Sequence, residues 1–257
     1  MKKNLKITFL VLVFGLILSA CGGEASEGEG PGGNQAGPID PDGIEDSIPP
    51  TPTAEPPKVA EIRNQQYIAD DSDQHQLDIY IPPVPIDQYP TIILLHGGGS
   101  SKAAMLSWGY HFAEQGFTSV AVEFRDYPDY TYPDAVEDVF CAAAWMQLNA
   151  EEFGFNTSHL VVIGHSVGGT LASMLAVVDQ PETFLTACPH PWSAEIKIIG
   201  AAAFTGVFDY PTLAEGREDI ASYVESLLGG TIDEVPEIWT QASPQSWITG
   251  SEPPFLL

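Results

Sequence analysis

A serine framed by glycines, Gly164-His165-Ser166-Val167-Gly168-Gly169, directly follows the apolar run Leu160-Val161-Val162-Ile163 and precedes a stretch of helical length. G-x-S-x-G between a strand and a helix is the pattern of a nucleophilic hydroxyl raised on a sharp turn. Small residues are needed at 164 and 168, where the turning backbone crowds itself. The helix start behind Ser166 offers free N–H groups to developing negative charge. Seventy residues before Ser166, His96-Gly97-Gly98-Gly99 closes a second apolar run, Thr91-Ile92-Ile93-Leu94-Leu95. Consecutive glycines let the backbone approach a bound group and aim N–H donors at it. Together the two motifs predict acyl transfer: Ser166 attacks, and the N–H groups of Gly98, Gly99 and Val167 hold the oxyanion, each donor contributing about 3–4 kcal/mol. His96 is expected to brace its loop, together with Gly97, rather than to act as a base.

A serine hydroxyl needs a base to take its proton, and that base needs an acid to orient it. No histidine occurs beyond His190, and Asp209, an acid in a less common position, has none after it. The chain ends Pro253-Pro254-Phe255-Leu256-Leu257, which reads as the opening of one more buried strand. The expectation is a C-terminal truncation, with the triad acid and histidine absent from this chain. On the order of 50 residues, a further strand–helix–strand–helix unit, would carry them. A naturally shortened pseudoenzyme is the alternative.

Positioning these motifs takes a scaffold of strands and helices in turn. Gln76–Ile81 alternates like a half-buried strand, and 91–95 reads as a strand covered on both faces. A helix over 102–115, a strand over 118–124 and an Ala-rich helix from Pro133 to about Ala150 follow. Strand 160–163, helix 167–178 and a strand from Ile196 to about Phe204 complete the series. Such alternation implies right-handed crossovers and a mostly parallel sheet with helices on both faces, an α/β fold. Phe208, Tyr210, Trp239 and Trp247 follow the last of these strands, where they can pack an insertion or contact an acyl group.

The 257 residues carry 35 Asp and Glu against 9 Lys and Arg, a formal charge of −26. Nothing here neutralises a run of phosphates, so a nucleic-acid partner is excluded. Residues 1–20 read as an export signal, with Lys2, Lys3 and Lys6 ahead of an apolar stretch too short to span about 30 Å of hydrocarbon. Leu18-Ser19-Ala20-Cys21 resembles the lipobox of bacterial lipoproteins, which implies lipidation of Cys21 and anchoring to the cell envelope outside the cytoplasm; ordinary secretion is the alternative. Residues 22–57 hold eight Gly, eight Pro and eight acidic residues with no Lys or Arg, so 21–57 should be a solvated tether. The folded domain is expected over 58–257. Cys141 and Cys188 would face an oxidising compartment, and a disulfide between them is expected, two buried free thiols being the alternative.

These motifs carry a resemblance to the α/β-hydrolase superfamily, and within it to HGGG-bearing carboxylesterases: the hormone-sensitive-lipase-like group and the acetyl and feruloyl esterases. It covers about residues 74–210, through Leu77-Asp78-Ile79-Tyr80-Ile81-Pro82, His96 to Gly99, Val122-Glu123-Phe124-Arg125, Tyr132-Pro133, Glu137-Asp138 and Gly164 to Gly169. The resemblance implies a serine esterase with a Ser-Asp-His triad in that chain order, no cofactor and no metal. Two positions depart from it. Arg125-Asp126-Tyr127-Pro128 stands where the family has arginine-leucine-alanine-proline, and Val167 replaces the commoner alanine. The substrate expected is a small acyl ester or an acylated sugar. A non-catalytic binding module on the same scaffold and, more weakly, a serine peptidase are the other readings.

Overall fold

A computed structural model describes residues 58–86 and 88–257. The expected signal sequence, the tether and Cys21 lie outside the described residues. Seven strands form one sheet: β1 (Ala60–Gln66), β2 (Gln76–Ile81), β3 (Thr91–Leu95), β4 (Ser119–Val122), β5 (Leu160–His165), β6 (Ile198–Phe204) and β7 (Phe255–Leu256), in the order β1-β2-β4-β3-β5-β6-β7. From β4 to β7 every pairing is parallel, while β1–β2 and β2–β4 are antiparallel. β1, with the polar sequence AEIRNQQ and no clean alternation of burial, was not anticipated. The expected strand 118–124 is trimmed to Ser119–Val122, and the strand expected from Ile196 begins at Ile198.

Side-chain alternation sorts the helices onto two faces. Ile93, Leu95, Val120 and Val122 point into the main core, which α2 (Asp134–Leu148) and α4 (Val167–Val177) cover through Phe140, Ala143, Leu171 and Met174. The opposite face carries Tyr80 and Ser119, paired across β2 and β4. There α1 (Leu106–Glu114) lies so close that a Cβ on Gly109 would sit 2.4 Å from the Tyr80 ring, and Ser119 Oγ donates to Gly109 O at 2.9 Å. The helix expected over 102–115 starts as a 3-10 turn at Lys102–Met105. A short α3 (Ala150–Phe153) follows α2. Beyond β6, α5 (Tyr210–Ala214), α6 (Glu218–Leu228) and α7 (Pro236–Ala242) form their own apolar cluster around Tyr210, Val224, Leu228 and Trp239. Trp239 is therefore packing, and Trp247 meets Phe184 of the main core edge to face.

Cys141 on α2 and Cys188 are joined in a disulfide with Cα atoms 5.5 Å apart, across a sequence separation of 47. Closing a loop of that length removes denatured-state entropy worth about 4 kcal/mol. Cys141→Ser with Cys188→Ser is expected to lower unfolding free energy by roughly that amount, read by denaturant titration. Free-thiol counting on the unreduced, denatured protein checks the premise, and titration of both Cys141 and Cys188 would refute it.

Candidate active site

Register places the two motifs side by side. Leu95 pairs with Gly164 and Leu94 with Ile163, so β3 and β5 end level, and His96 and Ser166 emerge at the same carboxyl edge of the sheet. This edge is where open α/β sheets bind ligands. Ser166 has φ 55° and ψ −120°, a conformation that side-chain-bearing residues avoid and that persists only where the surroundings impose it. Those surroundings are its glycines. A Cβ on Gly164 would lie 2.0 Å from Gly168 O, and one on Gly168 would lie 2.3 Å from both His96 O and Leu95 O. The oxyanion loop thus packs directly on the turn that carries the nucleophile.

Gly97 and Gly98 complete this contact. A Cβ on Gly97 would stand 3.6 Å from Ser166 Cβ, and one on Gly98 would stand 2.9 Å from Val167 Cγ2. Among the described residues, the Gly98 and Val167 N–H groups have no hydrogen-bond partner. The Gly99 N–H does have one: it donates to Asp126 Oδ2 at 2.6 Å. One of the three donors read from the sequence is therefore held by a side chain of the protein itself.

His96 is fully buried. Its ring stacks on Phe124 with centroids 4.1 Å apart, and its Nδ1 lies 2.9 Å from Gly97 O. Nε2 stands 3.0 Å from Glu123 Oε1, without the alignment of a hydrogen bond. Glu123 also accepts from the Lys102 N–H through Oε2 at 2.9 Å. Lys102 Nζ in turn holds the buried Asp78 carboxylate at 2.9 Å and Asn64 Oδ1 at 2.6 Å. A chain of buried polar contacts therefore runs from β2 to the oxyanion loop, and removing one member would leave an uncompensated charge.

The loop after β4 is pinned by Arg125. Its guanidinium meets Asp138 at 2.8 Å and Asp134 at 2.6 Å, while its backbone N–H donates to Asp138 Oδ2 at 2.8 Å. His75 adds a second contact to this cluster, with Nδ1 2.6 Å from Asp70 and Nε2 3.3 Å from Asp138. Its pKa is raised, chiefly by Asp138 and against the desolvation of a nearly buried ring. A group whose folded pKa is raised stabilises fully below its unfolded pKa, about 6.5, and loses that contribution as pH rises through the folded value. His75→Gln is accordingly expected to lower the melting temperature at pH 5.5–6 and to matter progressively less towards pH 8. Equal losses across that range in a melting series would contradict it.

A cavity of about 420 Å³ opens at Ser166, Gly98 and Gly99. Tyr127, Val207, Tyr210 and Leu213 wall it, and Ile220, Tyr223, Val224 and Leu227 of α6 close it. Its size and apolar lining are those of a small-molecule site. Tyr127 and Tyr223 meet edge to face with ring centroids 5.2 Å apart, and burial followed by the Asp126 charge pushes the Tyr223 phenol up. Tyr210 therefore reaches the cavity, as one of its two sequence readings allowed. The walls from α6 and the Asp126 contact were missed. The only signal for the latter was that Asp126 departs from the resembling family.

All six histidines are placed, and none hydrogen-bonds Ser166 Oγ. His75 and His96 are engaged as described, His159 meets Ser158 and Asn156, and His190 Nε2 lies 2.6 Å from Tyr67 O. His111 packs against Phe112, and His165 beside the nucleophile is exposed. Asp209, weighed as a triad acid, instead caps α5, accepting from Thr212 N at 3.2 Å and Thr212 Oγ1 at 2.7 Å. Among the described residues, no group of three or more His, Cys, Asp or Glu could hold a metal ion, and no helix is long and apolar enough to cross a membrane.

The family model described as BD-FAE matches residues 77–257. Esterase LipC of Mycobacterium tuberculosis is 25% identical over 222 residues, 81% of this chain and 54% of that protein. An ethyl acetate hydrolase of Pseudomonas putida is 34% identical over 113 residues, 40% of this chain and 35% of its own length. The chain spans about half or less of the length of these curated relatives. Among solved structures, esterase B of Lactobacillus rhamnosis shares the fold with a TM-score of 0.66 at 23% identity, covering 78% of this chain and 66% of that one. A carbohydrate esterase from gut microbiota, itself a truncated form, gives 0.66 at 20% identity over 79% of this chain and 77% of its own.

Proposed function

Because the chain belongs to the BD-FAE family, we propose that it carries the acyl-transfer half of a carboxylic-ester hydrolase site, with Ser166 as the nucleophile. The observation that carries this reading is the strained Ser166 seated against the glycine loop, beside an apolar cavity of about 420 Å³. In the reaction, Ser166 Oγ attacks the ester carbonyl and its proton passes to solvent water, no side-chain base among the described residues being within reach. The carbonyl oxygen gathers negative charge facing the Gly98 and Val167 N–H groups, and the leaving alkoxide takes a proton from solvent and departs as the alcohol while the acyl group stays on Ser166. The cavity takes the acyl group, which suits short to medium esters, including acetyl groups on sugars. The described residues contribute nucleophile, donors and pocket, and no imidazole reaches Ser166 Oγ. This last fact favours the second reading, a binding module on the same scaffold. Lipidation at Cys21 and display outside the cytoplasm belong to the proposal through the L-S-A-C run alone.

Intact-mass analysis after incubation with a fluorophosphonate, and with p-nitrophenyl acetate and butyrate, tests it. A single adduct that forms slowly and maps to Ser166, with no cleavage of aminoacyl amides, is the expected result. No adduct at Ser166 with any of these reagents leaves the binding module.

A further inference from the structure

Asp126 places a carboxylate inside the site, and its position is specific. Asp126 Oδ2 accepts the Gly99 N–H at 2.6 Å and stands 3.5 Å from where a Cβ on Gly98 would lie. Its Oδ1 accepts the Tyr127 N–H at 2.8 Å, so two backbone donors hold the group in place. No cation among the described residues pairs with it, because the adjacent Arg125 is engaged by Asp134, Asp138 and Glu137. The loop that carries Asp126 is fixed by that same Arg125 clamp, so the carboxylate's location follows from a rigid support. Charge-assisted hydrogen bonds of this length are roughly twice as strong as neutral ones. A ligand oxygen that reaches the Gly99 N–H therefore meets there an anion already bound to it, beside the free Gly98 and Val167 donors.

We propose that Asp126 is a specificity-determining residue of the Ser166 site: its carboxylate occupies the Gly99 donor, so a ligand oxygen that takes this third donor must displace it, and ligands bearing negative charge at that point are turned away. The proposal rests on the reading of Gly98, Gly99 and Val167 as oxyanion donors, but it needs no turnover. Two consequences follow from the geometry. Neutral ligands are admitted on the Gly98 and Val167 donors, losing one hydrogen bond only if they also take Gly99. Anionic ones meet repulsion as well, in a cavity whose aromatic and aliphatic walls provide no compensating charge.

The test uses the 257-residue chain with glycines labelled by ¹⁵N, and sodium butyrate as the probe, since its carboxylate is the product of a short-chain ester. In the unmodified protein, the Gly99 amide proton should resonate well downfield, and butyrate should leave it in place. In Asp126→Asn and Asp126→Leu it should move upfield, and butyrate should then shift Gly98 and Gly99 saturably, with an affinity about tenfold or more above that of the unmodified chain. Asn keeps the shape of Asp, so agreement between the two variants, each with an unchanged melting curve, separates loss of charge from loss of fold. A Gly99 resonance indifferent to both substitutions, or equal butyrate affinity in all three proteins, would overturn the proposal. Failure of Ser166 to form an adduct would strike the esterase reading and leave this measurement untouched.

Discussion

Ester turnover by this 257-residue chain is expected to run on the order of 10⁶ below that of a serine esterase whose nucleophile is hydrogen-bonded to a base. Ser166→Ala should lower the remaining rate by less than about tenfold, although it should remove the covalent adduct completely. The two statements belong together. A nucleophile and its base act as a unit, so once the base is out of reach, deleting the nucleophile costs little more. What remains comes from the donors at Gly98 and Val167 and from the cavity. Steady-state rates with p-nitrophenyl butyrate, measured for both proteins against buffer, decide the matter. A fast rate that Ser166→Ala abolishes would mean that one of the six histidines, His165 being the exposed neighbour, swings onto Ser166 Oγ.

Gly164→Ala is expected to be the most damaging single methyl in the molecule. The new Cβ would fall 2.0 Å from Gly168 O and 2.2 Å from Gly168 C, both backbone atoms of the same turn. No side chain can rotate away to make room, so either the turn opens or the packing of α4 against β5 is lost. The expected cost exceeds about 4 kcal/mol, above the roughly 1–3 kcal/mol usual for overpacking, because the obstructing atoms are backbone. Gly154→Ala is the control: Gly154 ends α3 at φ 70° with open space where its Cβ would go, and it should lose only about 1–2 kcal/mol. Urea titration of both variants gives the comparison. Similar midpoints would show that the turn is softer than its contacts imply.

The part of the fold that carries chemistry was legible because its signals are local. β3 and β5 are continuous apolar runs, and the glycine motifs follow each of them directly, so strand, turn and helix could be read within a dozen residues. β1 was illegible for the opposite reason. Its residues are held by pairing with β2, with Arg63 reaching Asp78, and nothing in AEIRNQQ by itself favours a strand. The site divides in the same way. Ser166 and the glycine loop were visible as motifs. The contact of Asp126 with Gly99, 27 residues away in sequence, exists only because β4 lies beside β3. The closure of the cavity by Ile220, Val224 and Leu227 depends likewise on how α6 folds back, and a helical pattern does not state its partner.

The Cys141–Cys188 bridge has a topological consequence. The ring it closes contains β5, the turn at Ser166 and all of α4, so the nucleophile rides on a covalently closed segment. A protease that cuts once between residues 142 and 187 leaves the two pieces tethered. On a non-reducing gel the nicked molecule still travels as one chain, and only after reduction does it part into two fragments. Damage inside this ring is therefore survivable in a way that a single cut elsewhere in the domain is not: the halves are kept at high effective concentration, and the severed strand can return to its place beside β3 and β6.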